Sequence, residues 1–515
     1  MARLAGQDCN GDFGTSHLPR KLSMAHAASP LTSDVIVVGA GLSGLTAAFE
    51  LAEHGHDVEV LESALHPGGV IGSHRRDVGS EQGENGEALY EHGPNSGMDT
   101  SPRVNELLHA LGIFDERINA EKAAARRYIL RDGRLVTVPA GPLQFITTPL
   151  LSARAKLALL REPFVPPAPA GVEEDVAHFV ERRLGREVLD YGVEPLVGGI
   201  YAGNPQEISV AAAFPKLHAL EQRYGSIVRG AVFGARERKL AAAERGEIAK
   251  HAAQSFSFRG GMQTLTNALA LRVSRVICAA RVESVQPQAD GTFLVTMERR
   301  GERVERRARA VVLAVPAYEA AKLVLPLAVD VANALEAIVY PPLATVSAAY
   351  RRADVQHPLD GFGFLAPRVE SPPVLGTLFT SSMFQHRAPP GFVLLTSFVG
   401  GRRNPELAQG SEQLIGDNVL RSSERFLGAR KPRFVVVKKW PRAIPQYTLG
   451  HGERLVAVAR LEARFPGLVF CSNWRGGVSI SDCIDSGLQT GAQLHRWLQA
   501  PASDTAAASA LASAF

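Results

Sequence analysis

The sequence predicts an α/β fold whose central parallel sheet is assembled from separated stretches of chain. A mixed α/β domain and a mostly helical domain fill the gaps. Three observations predict this. The apolar strand Asp34-Val35-Ile36-Val37-Val38 runs directly into Gly39-Ala40-Gly41-Leu42-Ser43-Gly44 and a helix. An acid, Glu62, closes a second strand about 20 residues later, the spacing of a dinucleotide site. Two more glycine turns that open helices, Arg259-Gly260-Gly261-Met262 and Gly476-Gly477-Val478-Ser479-Ile480, lie far downstream.

Each part of the first turn has a physical job. Gly39 permits the tight turn, Gly41 lets a pyrophosphate approach the backbone, and Gly44 lets helix and strand pack closely. The helix N-terminus faces the negative charge, and Glu62 accepts from a ribose hydroxyl. Leu45, Ala48, Phe49 and Ala52 give the helix one apolar face. The glycine-rich loop His66–Ser73 and the strand end Tyr90–Asn95 turn toward the same site.

The domain plan follows the composition. A Rossmann-like domain takes residues 34–111, 251–316 and 440–498. Residues 112–250 are helix-rich with a proline-rich break, and 317–439 form the mixed α/β region. Residues 1–33, polar and aperiodic, and 499–515, rich in Ala and Ser, are expected to be disordered. The acidic, glycine-rich stretch Gly79–Glu87 is expected to be a surface loop.

Bulk composition narrows the chemistry. A net charge of +4 over this length does not suggest nucleic acid. Cys9, Cys278, Cys471 and Cys483 have neither metal nor redox spacing and read as free thiols, so no metal is expected. No uninterrupted apolar run is long enough for a transmembrane helix. There is one G-x-G-x-x-G, not two, and no C-x-x-C. An enzyme relaying electrons from a nicotinamide through a flavin usually needs two such folds. The sequence therefore favours a flavin that a small oxidant reoxidises directly.

Further segments carry a resemblance. They are Glu194–Pro205, Leu220–Ile227, Arg259–Gln263, Phe384–Pro389, Trp440–His451 and Gly477–Cys483. With the split nucleotide-binding pieces they resemble the flavin amine oxidase superfamily. Within it, the likeness is to the oxygen-dependent protoporphyrinogen oxidase family, from Asp34 to Leu498. The resemblance implies non-covalent FAD, molecular oxygen as oxidant, and oxidation of protoporphyrinogen IX to protoporphyrin IX. Three rounds remove six electrons and give three hydrogen peroxide, by hydride transfer from a meso carbon to flavin N5. The cofactor set is then Gly39, Ala40, Gly41, Leu42, Ser43, Gly44, Glu62, Ser63, Gly69, Val70, Ile71, Gly72, Gly93, Asn95, Val282, Trp440, Gly477, Val478, Ser479 and Ile480. Val282 would meet adenine through its backbone, and Trp440 would lie beside the flavin. Amides of Val478, Ser479 and Ile480 would face the pyrimidine edge. The family's basic residue in the loop after the paired glycines is absent, and Arg75 is the nearest replacement.

On the substrate side the resemblance implies Arg127 as the carboxylate anchor. Gly198 and Gly199 would be close-approach backbone, and Leu365 and Phe384 would sandwich the pyrrole rings. Trp440, Leu365 and Phe384 can equally be read as core residues. No residue is assigned as general base; His92 and His451 read as structural. Pro142–Leu151, followed by Arg154, Lys156 and Arg161, suits either an interfacial membrane element or a buried helix pair.

The implied setting is cytoplasmic, peripheral on the inner membrane, with hand-off to a ferrochelatase and a homodimeric assembly. Three alternatives stay open: coproporphyrinogen III oxidation by the same chemistry, another amine oxidase or carotenoid desaturase, and a non-catalytic FAD or porphyrin binder.

Overall fold

The computed structural model describes residues 33–79, 86–169, 171–231, 233–234 and 254–500. The expected terminal extensions and most of the Gly79–Glu87 loop lie outside these residues.

One seven-stranded sheet gathers distant parts of the chain. Its order is Arg275–Ile277, Val58–Leu61, Ser33–Val38, Glu302–Leu313, Phe293–Arg299 and Ala280–Pro287, with Leu468–Phe470 also on Glu302–Leu313. Ser33–Val38 pairs in parallel with both neighbours. Its residues are almost all buried, as a strand covered on both faces must be. The strand side chains alternate between two cores. Val35 and Val37 pack with helices Leu42–Glu53 and Ile480–Gln499; Ile36 and Val38 pack with Trp474, Ala317 and Val458. Val273–Val285 does not form one continuous strand: it breaks at Ala279, which adopts φ +53°.

The helix Ile480–Gln499 lies along Leu42–Glu53. A Cβ on Gly487 would sit 2.6 Å from Thr46 Cβ, and one on Gly491 would sit 2.6 Å from Glu50 Cβ. Both contacts advance in the same chain direction, so the helices run parallel. Their N-termini therefore point toward the same end of the sheet.

A second seven-stranded sheet runs Phe434–Trp440, Leu343–Arg351, Phe392–Gly400, Gly376–Leu378, Gly363–Leu365, Arg127–Arg131 and Arg134–Thr137. Tyr128, Phe364, Ala344 and Val346 point to one face and pack on Ile415 and Val419 of helix Glu412–Leu427. At one end of the opposite face, Leu394, Ala349 and Phe434 meet Val78, Ala88 and Tyr90 of the hairpin Ser73–Glu91. The intervening helices 176–224 form their own core around Phe179, Val197 and Tyr201. Among the described residues, no helix is long and apolar enough to cross a membrane. Cys278, Cys471 and Cys483 are free thiols.

Candidate active site

The nucleotide-binding turn is formed by glycines that have no alternative. Gly39 has φ +103°, and a Cβ there would lie 2.6 Å from Ala314 O. A Cβ on Gly44 would lie 2.2 Å from Gly39 O, so a side chain would push the helix off the strand. Gly41 differs: nothing stands within 4 Å of its would-be Cβ. That open side, at a helix N-cap with no side-chain cap, is a cradle for an anion.

Glu62 is buried and accepts from the Ala40 amide at 2.7 Å and the Ala64 amide at 2.8 Å. Its carboxylate thus holds the turn in shape, and Ser63 Oγ lies 3.3 Å from it. The same segment pairs with the adenine-side candidates. Ala280 N–H donates to Glu62 O at 2.8 Å, which places Val282 two residues from that contact.

The loop after the first turn connects the two ends of the site. Gly68 N–H donates to Ala40 O at 2.8 Å, and a Cβ on Gly69 would come within 3.1 Å of Gly41 Cα. A Cβ on Gly93 would come within 2.0 Å of Val70 O, while Gly72 O accepts from His92 N–H at 2.9 Å. Val70 is exposed, whereas the Ile71 side chain is buried in the core and anchors the loop from below. Asn95 is buried, and its Oδ1 has no partner among the described residues. An unsatisfied buried acceptor two residues from Gly93, and an open glycine cradle at Gly41, each fit a polar cofactor.

At the far end, Trp440 Nε1–H donates to His92 O at 3.1 Å, and Thr345 Oγ1 donates to the same oxygen at 2.8 Å. The C-terminal turn is fixed by Tyr447, whose hydroxyl donates to Asn473 O at 2.5 Å and accepts from Gly477 N–H at 3.0 Å. One expectation needs correcting here. The Ser479 amide is not free: it donates to Asp482 at 3.2 Å in a capping box. That leaves Val478 and Ile480 as the amides for a ligand. Arg75 stands exposed on the hairpin.

Strand register collects the substrate-side candidates. Directly paired residues share a sheet face. One row reads Arg127, Gly363, Leu378, Thr396, Ser347, Val436; the next reads Ile129, Leu365, Gly376, Phe398, Thr345, Lys438. Leu343 and Trp440 begin a third row on the same face. Leu365, Leu378, Phe398 and Trp440 are only half-buried, and Arg127 is exposed at the start of its strand. Helix Glu194–Tyr201 closes over this face: a Cβ on Gly199 would lie 2.9 Å from Leu365 Cδ2. A Cβ on Gly198 would lie 3.2 Å from Arg403, whose buried guanidinium pairs with Glu194 at 2.5 Å.

Neighbouring arginines have different fates. Arg126 is committed to Asp360, while Arg127 lies over the Phe362 ring at 5.3 Å with no carboxylate partner among the described residues. Phe384 is a second correction. It is completely buried against Met383 and Ala124 and near the Arg387 guanidinium, so its ring has no surface to offer a ligand. Phe398 and Trp440, not Phe384, are the half-buried aromatics on the face. Sequence reading missed Phe398 because only cross-strand register shows which residues join Leu365.

His92 and His451 are both held neutral at pH 7. Burial, with His74 and Lys438 nearby, lowers His92 to about 4; burial lowers His451 to about 4.

A split sheet, parallel at its centre and extended by the antiparallel strands Phe293–Arg299 and Ala280–Pro287, with an open glycine cradle and a second sheet bearing a half-buried apolar face, defines an FAD-dependent oxidoreductase. Residues 42–495 match the model of the flavin-containing amine oxidoreductase family. The chain is 31% identical to the mitochondrial protoporphyrinogen oxidase of Nicotiana tabacum, covering 92% of this chain and 96% of that protein. It is 33% identical to protoporphyrinogen oxidase 1, chloroplastic, of Arabidopsis thaliana, over 91% and 89% of the two chains. It is likewise 33% identical to the protoporphyrinogen oxidase of Homo sapiens, over 88% and 97%. A crystal structure from Exiguobacterium sp. 255-15 shares the fold, with TM-score 0.73 at 23% identity, covering 90% of this chain and 99% of that one. The protein belongs to the flavin-containing amine oxidoreductases and, within them, to the protoporphyrinogen oxidase family.

Proposed function

We propose that the protein oxidises protoporphyrinogen IX to protoporphyrin IX with bound FAD and molecular oxygen. The carrying observation is the single sheet face with an unpaired arginine at one edge, half-buried apolar side chains in the middle and Trp440 at the other end. Protoporphyrinogen IX is a wide apolar ring with its two carboxylates on one rim, and that face offers a free arginine at one end and a broad apolar wall.

Bound FAD supplies the hydride acceptor for each two-electron step. The chain's own residues place the reactants. Gly41 and the N-terminus of helix Leu42–Glu53 hold the pyrophosphate, Glu62 the ribose, Val282 the adenine, and Val478 and Ile480 the flavin edge. Arg127 takes a propionate through its planar fork, and Leu365, Leu378 and Phe398 form the wall against the ring. Gly198 and Gly199 bring helix Glu194–Tyr201 close over it. None of the residues in the two paired rows is a carboxylate or a histidine, so neither group in those rows takes the proton lost from a pyrrole nitrogen.

Coproporphyrinogen III, with four carboxylates, asks for more cations than Arg127 and Lys438, the two this face offers, because Arg126 and Arg403 are already paired. The test is porphyrin fluorescence from the FAD-loaded protein in air with each porphyrinogen. Fast fluorescence gain with protoporphyrinogen is expected. A faster gain with coproporphyrinogen reverses the substrate, and no gain with either ends the reading.

We also propose peripheral membrane contact through Leu143, Ile146, Leu157, Leu160 and Phe164. All five are exposed, and Arg154, Lys156 and Arg161 stand among them. Large exposed apolar residues with basic flanks fit an anionic lipid surface. Cosedimentation with anionic vesicles, weakened by Phe164→Ser with Leu160→Ser, is the expected result; equal sedimentation of parent and variant rejects it.

A further inference from the structure

Lys438 is a cation that neither the fold nor the substrate reading uses. It stands opposite Thr345 on the strand Phe434–Trp440, on the same sheet face as Trp440. Its Nζ lies 4.8 Å from the centre of the Trp440 ring. No carboxylate pairs with it among the described residues. The nearby acid, Glu91, is already spent on Arg387, Ser73 and the Met262 amide. The other titratable groups beside it, His74 and His92, are held toward the neutral state by burial and by the charge of Lys438 itself. Its neighbour Lys439 differs. It alternates to the opposite face and donates to Gln409 O at 3.3 Å and Gly410 O at 2.9 Å.

A half-buried cation without a counter-ion raises the affinity of its surroundings for negative charge. We propose that Lys438 is the electrostatic partner of the reduced flavin, raising its reduction potential and speeding its reoxidation by oxygen. The inference rests on the reading that Trp440 borders the flavin. Oxygen takes two electrons and one proton from the reduced anionic flavin and a second proton from solvent, giving hydrogen peroxide and oxidised flavin. Its first electron makes superoxide, an anion that a fixed positive charge stabilises.

The test uses the FAD-loaded protein, with Lys438→Met, Lys438→Arg and Lys439→Met compared after flavin content is equalised. Lys438→Met should lower the flavin reduction potential in an equilibrium dye titration. It should also slow reoxidation of dithionite-reduced protein about tenfold in stopped flow, the size of one lost charge interaction. Lys438→Arg should restore both, and Lys439→Met, with the same net charge change, should alter neither. Unchanged potential and reoxidation in Lys438→Met overturn the inference. So do equal effects from Lys439→Met, which would mean bulk charge alone acts. Trp440→Phe separates the two readings. If it shifts the flavin absorbance while Lys438→Met does nothing, the cofactor placement stands and the lysine role falls. If neither variant changes the flavin, both fall.

Discussion

At Arg127 and Phe398 the site depends on what a side chain is not doing. Arg126 has spent its charge on Asp360, whereas Arg127, one residue on, has not. A bidentate charged pair is worth about 1.5–3 kcal/mol, so Arg127→Ala should raise KM for the porphyrinogen about ten- to hundredfold. FAD content should not change; equal KM in variant and parent removes Arg127 as the anchor. The two phenylalanines give a paired prediction. Phe384→Ala empties a fully buried site and should cost about 3–5 kcal/mol of stability. Phe398→Ala, on the half-buried face, should raise KM with a smaller loss of melting temperature. The opposite pattern would return Phe384 to the pocket. Arg127 was legible in the sequence only through a resemblance, because an arginine beside a strand is usually a solvated charge. Phe398 was not legible at all, since its partners Gly376 and Thr345 are distant in sequence.

Helix Leu42–Glu53 shows what a single element contributes. Its position depends on Gly44 touching the backbone of Gly39 and on Gly487 and Gly491 of the parallel helix receiving Thr46 and Glu50. Gly44→Ala would set a Cβ 2.2 Å from a carbonyl oxygen and 2.8 Å from Ala314 Cβ, neither of which can swing away. Overpacking of this kind costs about 1–3 kcal/mol and displaces the helix N-terminus. Purified Gly44→Ala should therefore carry less FAD, read as the ratio of flavin to protein absorbance. Full flavin occupancy would show that the contact is not limiting. This element was readable in advance because glycine spacing, strand pattern and helix face are all local. The capping box at Ser479 was equally local, as Ser-x-x-Asp, and it removes one amide that the glycine turn alone seemed to offer.

For the molecule as a whole, two histidines, His92 half-buried and His451 buried, couple folding to pH. His92 and His451 are lowered to about 4 by burial, against an ordinary value of 6.5. Unfolded, they bind protons that the folded state refuses, so their contribution is full above about pH 6.5 and is lost as pH falls toward about 4. Melting temperature should drop through that window, and His451→Phe should make the drop shallower. An unchanged slope would show that His451 is not held neutral. Here the sequence had only suggested that both histidines are structural; the depth of burial belongs to the fold.

By itself, the sequence determined the nucleotide turn, the acid after the second strand, the absence of a second turn and the family resemblance. These are local patterns, and local geometry enforces them. The tertiary structure decided which residues share the open sheet face. A side chain's face follows from strand register, and register is set between segments hundreds of residues apart, from Arg127 to Trp440. It joined Arg127, Leu365, Leu378, Phe398, Lys438 and Trp440 on one surface and buried Phe384 in a separate cluster with Met383 and Ala124.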